Sequence, residues 1–430
     1  MGVMGRLVIR EARVVDPSQG LDRISDILIE DGKIGAIGGS LPREGAEVLE
    51  ARGLVAVPGF VDMHVHLREP GFEYKETIAS GTAAAAAGGF TAVASMANTH
   101  PVNDCASVTE YILKKAAAAG KARVHPVGAT TKAMEGRELA EIGEMVAAGA
   151  VAVSDDGRPV SDPNVMRRAM EYAKMFGIAV IEHCETLELH PGGVMNEGYW
   201  STALGLRGIP RASEEIAVAR NIRLAELTGA RFHAAHLSTA GALHSVREAK
   251  ARGLSVTCEV TPHHLLLTDE RVSGYDTQAK MKPPLTTEED RKALLEGLRD
   301  GAVDAIATDH APHHQDEKDD DFDSAPFGIV GLETAVSLCL DRLVGPGIIT
   351  LNRMVELLSS GPARILKVEG GTLAPGSRAD VTLLDLERPF RVEPQSFLSK
   401  GKSTPFAGWE LRGRAVRTIV GGATVWSLPE

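Results

Sequence analysis

Two histidines and an arginine close an apolar run early in the chain. The segment Pro58–Gly71 contains His64, His66 and Arg68 and ends in a Pro-Gly turn. Successive side chains of a strand point to opposite faces, so His64 and His66 point the same way. Two imidazoles at the end of one strand supply half of a transition-metal site. Because a guanidinium can hold a carboxylate through two parallel hydrogen bonds, the segment predicts a metal beside an anionic substrate.

The middle of the chain alternates short apolar runs with Ala-, Leu- and Glu-rich segments. We predict eight strands, at 60–66, 90–96, 123–128, 150–155, 178–183, 231–237, 255–260 and 304–309. Helices are predicted between them, for example at 108–119, 163–176, 214–227 and 288–298. Eight successive β and α units are typical of a (β/α)8, or TIM-type, barrel. A doubly wound open sheet is the alternative, but no Gly-x-Gly-x-x-Gly pattern follows an early strand.

Both ends of the chain have a different, β-rich pattern. Alternating strands are predicted at 6–15, 24–37, 48–57, 379–386 and 414–426, with hairpin signals at Asp31-Gly32 and Gly421-Gly422. We therefore predict a small β-sandwich domain composed of residues 1–57 and 370–430. Residues 58–369 are predicted to form the barrel domain.

Residues that can bind metals close five of the eight predicted strands. They are His64 and His66 on the first strand, Asp155 and Asp156 on the fourth, His183 on the fifth, His236 on the sixth and Asp309 on the eighth. Barrel enzymes place their active sites at the C-terminal ends of the strands, so we expect these side chains to converge. A carboxylate can bridge two ions about 3.5–4 Å apart. Either Asp155 or Asp156 could supply that bridge.

The predicted ligands suit one or two zinc ions per chain, with manganese, cobalt and nickel as alternatives. Two divalent ions, two aspartates and one hydroxide leave a single positive charge, which favours an anionic substrate. Water bound to such ions has its pKa lowered to about 7 and becomes a nucleophile at neutral pH.

The overall composition argues against several classes of partner. The 46 basic and 58 acidic residues give a net charge of −12, which is unfavourable for binding nucleic acid or an anionic membrane surface. The four cysteines form no Cys-x-x-Cys pair, as expected for reduced thiols. Without a long apolar run or a signal-peptide pattern, a cytoplasmic location is expected.

Several features near the strand ends leave alternatives open. His263 and His264, after the seventh strand, are equally consistent with supporting the metal ligands and with stabilising the fold. His313 lies in the loop after Asp309, from where it could reach a substrate. The acidic loop 315–328 is typical of a solvated segment, and its position after the eighth strand also allows a mobile lid.

Taken together, these motifs resemble the amidohydrolase superfamily and, within it, bacterial dihydroorotase. The matching segments are 64–71, 89–91, 96–101, 154–157, 236–240, 259–267 and 307–313. The resemblance implies that His64 and His66 bind one metal and that His183 and His236 bind a second. It further implies that Asp156 bridges the two metals, whereas Asp309 ligates the first and shuttles a proton. An aspartate bridge replaces the carbamylated lysine of many relatives, because no lysine closes the fourth strand.

The same resemblance implies a set of substrate contacts. They are Arg68, Asn98 and His313 on the carboxylate and ring, with backbone contacts from Phe327 and Gly328. The family pattern Asn-Pro-Pro-Leu-Arg is replaced here by Lys282-Pro283-Pro284-Leu285-Thr286. We predict that Lys282 turns inward and contacts the substrate, because the two prolines stiffen its backbone. The alternative is that its side chain extends to solvent.

The implied activity is the interconversion of N-carbamoyl-L-aspartate and (S)-dihydroorotate in de novo pyrimidine biosynthesis. A small anionic substrate, a homo-oligomer and assembly with another enzyme of that pathway are further expectations. Hydantoinase or allantoinase activity is one alternative, but those substrates lack the ring carboxylate that Arg68 would bind. A catalytically silent scaffold homologue is the other, and the complete set of metal ligands argues against it.

Overall fold

The computed structural model describes residues 5–429. The strands, in chain order, are β1 (Arg6–Asp16), β2 (Leu21–Glu30), β3 (Lys33–Gly38), β4 (Ala46–Glu50), β5 (Val55–Pro58), β6 (Phe60–Val65), β7 (Phe90–Ser95), β8 (Arg123–Gly128), β9 (Ala152–Val153), β10 (Ala179–Glu182), β11 (Met195–Asn196), β12 (Gly208–Ile209), β13 (Arg231–Ala234), β14 (Val256–Val260), β15 (Ala305–Ile306), β16 (Val381–Arg391), β17 (Glu410–Val420) and β18 (Ala423–Ser427). The α-helices are α1 (Ile78–Ala87), α2 (Ala106–Ala119), α3 (Ile142–Ala148), α4 (Pro163–Phe176), α5 (Tyr199–Leu204), α6 (Ala212–Thr228), α7 (Ala240–Ala251), α8 (Pro262–Leu266), α9 (Glu288–Asp300), α10 (Gln315–Lys318), α11 (Ala335–Cys339), α12 (Leu351–Val355) and α13 (Gly361–Leu366).

Eight parallel strands form the barrel, in the order β6-β7-β8-β9-β10-β13-β14-β15. The two end strands approach each other, since the backbone N–H of His66 donates to the carbonyl of His310 over 2.8 Å. The strands are apolar on both faces because one face packs inside the barrel and the other packs against helices. Each of the eight predicted runs contains one of these strands, so the (β/α)8 prediction is confirmed.

Local sequence signals determine where the barrel helices begin and end. Asp162 caps α4 by accepting hydrogen bonds from the N–H groups of Asn164 and Val165, and Pro163 occupies the first turn. Gly177 ends the helix with a φ of 67°, a left-handed conformation that suits glycine. Among the helices between residues 5 and 429, none is both long and apolar enough to cross a membrane.

The two ends of the chain form a second sheet, in the order β18-β17-β16-β5-β1-β2-β3, with β4 beside β1. The sheet curves so that β3 approaches the segment before β16: the backbone N–H of Ile34 in β3 donates to the carbonyl of Ser377. Its inner face encloses a separate apolar core that includes Ile9, Ile29 and Leu383. This sheet is consistent with a β domain formed from both chain ends. The predicted boundaries, 1–57 with 370–430 for the β domain and 58–369 for the barrel domain, stay a prediction. Residues 1–4 and 430 lie outside the residues that the structure describes.

Candidate active site

The carboxyl ends of the barrel strands bring four histidines and one aspartate into two groups of three. One group is His64, His66 and Asp156, and the other is Asp156, His183 and His236. Within each group the candidate ligand atoms lie within 4.8 Å of one another, and all five residues are buried. Asp156 therefore belongs to both groups, which is the arrangement that a carboxylate shared by two metal ions requires.

Asp156 lies at the centre of this cluster. Its Oδ1 is 3.3 Å from His236 Nε2 and 3.4 Å from His64 Nε2. Its Oδ2 is 3.4 Å from His66 Nε2. The Nδ1 atom of His183 is 3.8 Å from Asp156 Oδ1. One carboxylate oxygen thus faces both groups and the other faces the first group.

The neighbouring aspartate is turned away from the cluster. Asp155 accepts hydrogen bonds from the N–H groups of Thr130 and Thr131 over 2.8 and 3.1 Å, and from the Thr131 hydroxyl. The two carboxylates follow β9 and point in different directions, so only one of them faces the barrel mouth. The structure places Asp156 there and gives Asp155 a role in holding the 130–131 loop.

Asp309 approaches the first group from the eighth strand. Its Oδ1 is 3.1 Å from His66 Nε2 and 3.7 Å from His64 Nε2. Arg68, His236 and Asp309 all have positive φ angles, of 62°, 33° and 46°. Residues other than glycine adopt this left-handed backbone conformation only at a cost in free energy. Three residues at the site are therefore held in strained backbone conformations.

Three of the four imidazoles are oriented by an acceptor on their outer nitrogen. His64 Nδ1 lies 2.7 Å from Glu259 Oε1, His66 Nδ1 lies 2.8 Å from Asn98 Oδ1, and His183 Nε2 lies 3.0 Å from Glu185 Oε2. Each contact fixes the tautomer, so the lone pair of the other nitrogen points into the cluster. Within the described chain, the buried His64 Nε2 has no hydrogen-bond partner. This donor set fits two metal ions, which would satisfy those lone pairs.

The carboxylates of the cluster are held ionised. Burial alone would raise the pKa of Asp156, but the surrounding histidines, His64 foremost, hold it well below its usual range. Burial would likewise raise the pKa of Asp309, but its close contact with His66 and the nearby His64 and His236 outweigh burial and lower it. Anionic oxygens at neutral pH are what metal ligands require.

A cavity of about 360 Å³ opens above the cluster. Four of the candidate metal ligands, His66, Asp156, His183 and Asp309, line it. So do all six predicted substrate residues, which are Arg68, Asn98, Lys282, His313, Phe327 and Gly328. The cations of Arg68 and Lys282 and the carboxylates of Asp156 and Asp309 thus border the same space. A small anionic molecule with a reactive carbonyl would fit this distribution of charge.

Comparison with known proteins identifies the family. A family model described as Dihydro-orotase-like matches residues 53–242. The dihydroorotase of Geobacter metallireducens is 54% identical over 421 residues, covering 98% of this chain and 99% of the relative. The dihydroorotase of Syntrophotalea carbinolica is 53% identical over 425 residues, covering 99% and 100%. This chain belongs to the dihydroorotase family.

Solved structures confirm the architecture expected for the dihydroorotase family. The L-hydantoinase (dihydropyrimidinase) from Arthrobacter aurescens aligns with a TM-score of 0.88 at 26% identity, covering 99% of this chain and 97% of that one. A D-hydantoinase (dihydropyrimidinase) from Thermus sp. aligns with a TM-score of 0.83 at 26% identity, with the same coverage. Both belong with this chain among the cyclic amidohydrolases, which are metal-dependent, and the two ligand groups could bind such metals.

Lys282, the departure from the dihydroorotase pattern, lines the cavity. Its Nζ is 2.8 Å from Glu185 Oε2, the same oxygen that holds His183. The Nζ also lies 5.5 Å from the centre of the Phe327 ring. The side chain therefore turns inward, and its ammonium is already engaged by a carboxylate beside the cluster.

Glu185 and Glu259 are not among the site residues predicted from the sequence. Burial would raise the pKa of both carboxylates, but their neighbours lower it to about 2. Those neighbours are His183 and Lys282 for Glu185, and His233 and His64 for Glu259. Glu259 closes the seventh strand and Glu185 lies two residues after His183, so strand-end position was the available signal. By contrast, His264 serves the fold, since its two nitrogens contact the Thr261 hydroxyl and the Pro283 carbonyl.

A buried lysine, Lys318, anchors the loop 315–328, for which a mobile lid is one prediction in this dihydroorotase fold. Lys318 Nζ donates to the carbonyls of Lys280, Pro326 and Gly328 over 3.3, 2.9 and 3.1 Å. Gly328 has a φ of 131°, and a Cβ there would lie 2.7 Å from the Ala311 carbonyl oxygen. The end of the loop that lines the cavity is thus packed closely, and lid motion stays a prediction.

Proposed function

We propose that this protein interconverts N-carbamoyl-L-aspartate and (S)-dihydroorotate, with zinc as its metal. The observation that carries the proposal is the shared position of Asp156 between two ligand groups, directly below a cavity lined by Arg68 and His313. The relatives that align over the whole chain are named dihydroorotase. Turnover of dihydroorotate by the zinc-loaded protein, compared with hydantoin and allantoin, tests it directly.

The metals would be held by the two groups already described. His64, His66 and Asp309 would bind one ion, His183 and His236 would bind the other, and Asp156 would contact both. Imidazole and carboxylate donors favour zinc over harder ions such as magnesium. When bound, the ions polarise the amide carbonyl and lower the pKa of coordinated water.

Arg68 would hold the substrate carboxylate. Burial lowers its pKa only to about 10, so the guanidinium keeps its charge at neutral pH. A buried charged donor that faces a cavity supplies strong, directional hydrogen bonds to a carboxylate. Asn98 uses its Oδ1 to hold His66, which leaves its amide N–H groups free to donate to the ring.

Asp309 would move the proton. Its ionised carboxylate lines the floor of the cavity, where it can accept a proton from the attacking water and return it to the leaving ring nitrogen. In the direction of ring closure the same carboxylate takes the proton from the carbamoyl nitrogen. The contact with His66 holds this carboxylate at the cavity, where both proton transfers would take place.

A hydantoinase-like activity is the rival, because two solved structures that align over nearly the whole chain carry that name. Substitution of Arg68 distinguishes the two activities, because only dihydroorotate carries a carboxylate on its ring. We expect Arg68→Met to cost about 2–5 kcal/mol in kcat/KM for dihydroorotate, the range for removing one partner of a buried charge pair. The exposed Arg158, next to Gly157, offers a matched control: Arg158→Met should leave kcat/KM close to wild type. Equal losses on an uncarboxylated cyclic amide would show instead that Arg68 is structural.

Lys282 gives a second test of substrate binding. We expect Lys282→Ala to raise KM for dihydroorotate about tenfold, the effect of losing ~1.4 kcal/mol of binding, and Lys282→Asn to recover much of it. Because Lys282 also pairs with Glu185 behind His183, zinc content must be measured on each variant. Unchanged KM and kcat in Lys282→Ala would remove the lysine from the site, whereas zinc loss would assign it to metal binding.

The remaining proposals concern the setting of the enzyme. We propose a cytoplasmic homo-oligomer that can associate with another enzyme of pyrimidine synthesis and does not bind nucleic acid. The net charge of −12 and the class of relatives support this view. Light scattering of the purified protein, alone and mixed with a neighbouring pathway enzyme, would test it.

A further inference from the structure

An ion pair on the outer side of the cavity contacts His313, a predicted substrate residue. Lys75 Nζ lies 2.9 Å from Glu317 Oε1 and 3.2 Å from His313 Nδ1. Glu317 Oε2 lies 3.5 Å from the same nitrogen. Lys75 belongs to the loop after the first barrel strand and Glu317 to the loop after the eighth. His313 Nδ1 therefore faces both a donor and an acceptor.

The inner nitrogen of His313 faces a second donor. Arg68 Nη2 is 3.3 Å from His313 Nε2. Lysine and arginine can only donate, whereas a neutral imidazole has one donor and one acceptor nitrogen. Burial, followed by the charges of Arg68 and Lys75, lowers the pKa of His313 to about 3, so the ring is neutral. Both nitrogens cannot accept at once, so His313 can offer an acceptor to only one of the two cations.

Each tautomer satisfies a different set of neighbours. With the proton on Nδ1, the ring donates to Glu317 and accepts from Arg68 at Nε2. With the proton on Nε2, the ring accepts from Lys75 at Nδ1. Its Nε2–H group then points at the Arg68 guanidinium, and both groups are donors. An anion in the cavity would remove that conflict, because Arg68 and the Nε2–H group could both donate to it.

We propose that the Lys75–Glu317 ion pair is a positioning device that allows His313 to change tautomer when substrate binds. In the free site His313 accepts from Arg68. With an anionic substrate bound, Nδ1 gives its proton to solvent water and Nε2 takes one from solvent water, so the ring stays neutral. His313 then donates to the substrate while Lys75 donates to Nδ1. This inference rests on the proposed function, since it takes the cavity as the binding site of dihydroorotate.

Kinetics of the zinc-loaded enzyme provide the first test. We expect Lys75→Met to raise KM for dihydroorotate about tenfold with kcat changed less than about threefold, the cost of one lost charge-assisted hydrogen bond. Lys75→Arg keeps a donor and should recover most of the loss. Lys400→Met is the matched control, because Lys400 Nζ donates to the carbonyl of Glu73 and so anchors the same loop without touching His313. If Lys400→Met reproduces the Lys75→Met effect, Lys75 only holds the loop and the proposal is wrong.

The tautomer itself is the second readout. Nitrogen chemical shifts of ¹⁵N-histidine-labelled holoenzyme distinguish protonated from unprotonated ring nitrogens, and a His313→Gln sample assigns the signal. We expect the proton on Nδ1 without ligand and on Nε2 with a saturating, equilibrated mixture of dihydroorotate and carbamoyl-aspartate. The same tautomer in both states would overturn the inference even if turnover is normal. Absence of turnover by wild-type enzyme would instead overturn the proposed function.

Discussion

Removal of metal from the purified protein is expected to abolish turnover of dihydroorotate, and added zinc is expected to restore it. The four cluster histidines and Asp156 are buried together, and metal ions held by them would supply the activated water that hydrolysis of the ring requires. The measurement is activity alongside metal content after treatment with a chelator. A metal-free sample with full activity would contradict the mechanism as a whole.

Because Asp156 belongs to both ligand groups, substitutions at the site allow a more specific test of metal binding. Asp156→Ala removes a ligand from both groups, so zinc content should fall toward zero. His183→Ala removes a ligand from one group only and should leave about one ion per chain. Both variants are expected to lose turnover, but their different zinc contents separate a bridging aspartate from an ordinary ligand. Equal zinc contents in the two variants would argue against the bridge.

Replacement of Asp309 by asparagine is expected to lower kcat by about 10²- to 10⁴-fold, the usual contribution of general acid–base catalysis. The amide keeps the shape of the side chain but cannot accept a proton as the carboxylate does. Asp309 is also a proposed metal ligand, so zinc must be measured in the same sample. Retained zinc with a near-wild-type rate would remove Asp309 from the mechanism. Loss of zinc would call for repeating the assay at saturating metal.

The barrel could be predicted because each of its strands lies in a short, mainly apolar run, and five of the eight runs are closed by residues that can bind metals. The choice between Asp155 and Asp156 could not be made from those runs. Both aspartates follow the short strand β9, and the sequence does not say which of the two side chains faces the barrel mouth. Only the contacts of Asp155 with Thr130 and Thr131 decide that point.

The residues that hold the cluster from behind were harder to predict for a different reason. Glu259 contacts His64 across 195 positions of sequence, and Lys75 contacts His313 across 238. No local spacing encodes such pairs, because they form only when distant strands and loops meet in the fold. Strand-end position could indicate Glu259 as a site residue, but it could not indicate which histidine Glu259 contacts.

The left-handed backbone at Arg68, His236 and Asp309 also limits how the enzyme can be redesigned. β-branched amino acids are genuine outliers in that conformation, so valine, isoleucine and threonine at these positions would be selected against before any contact with substrate is considered. Asparagine and aspartate tolerate it best after glycine. A directed-evolution library aimed at new ring substrates would therefore be more productive at Asn98 or Lys282, where the backbone leaves the choice of side chain open.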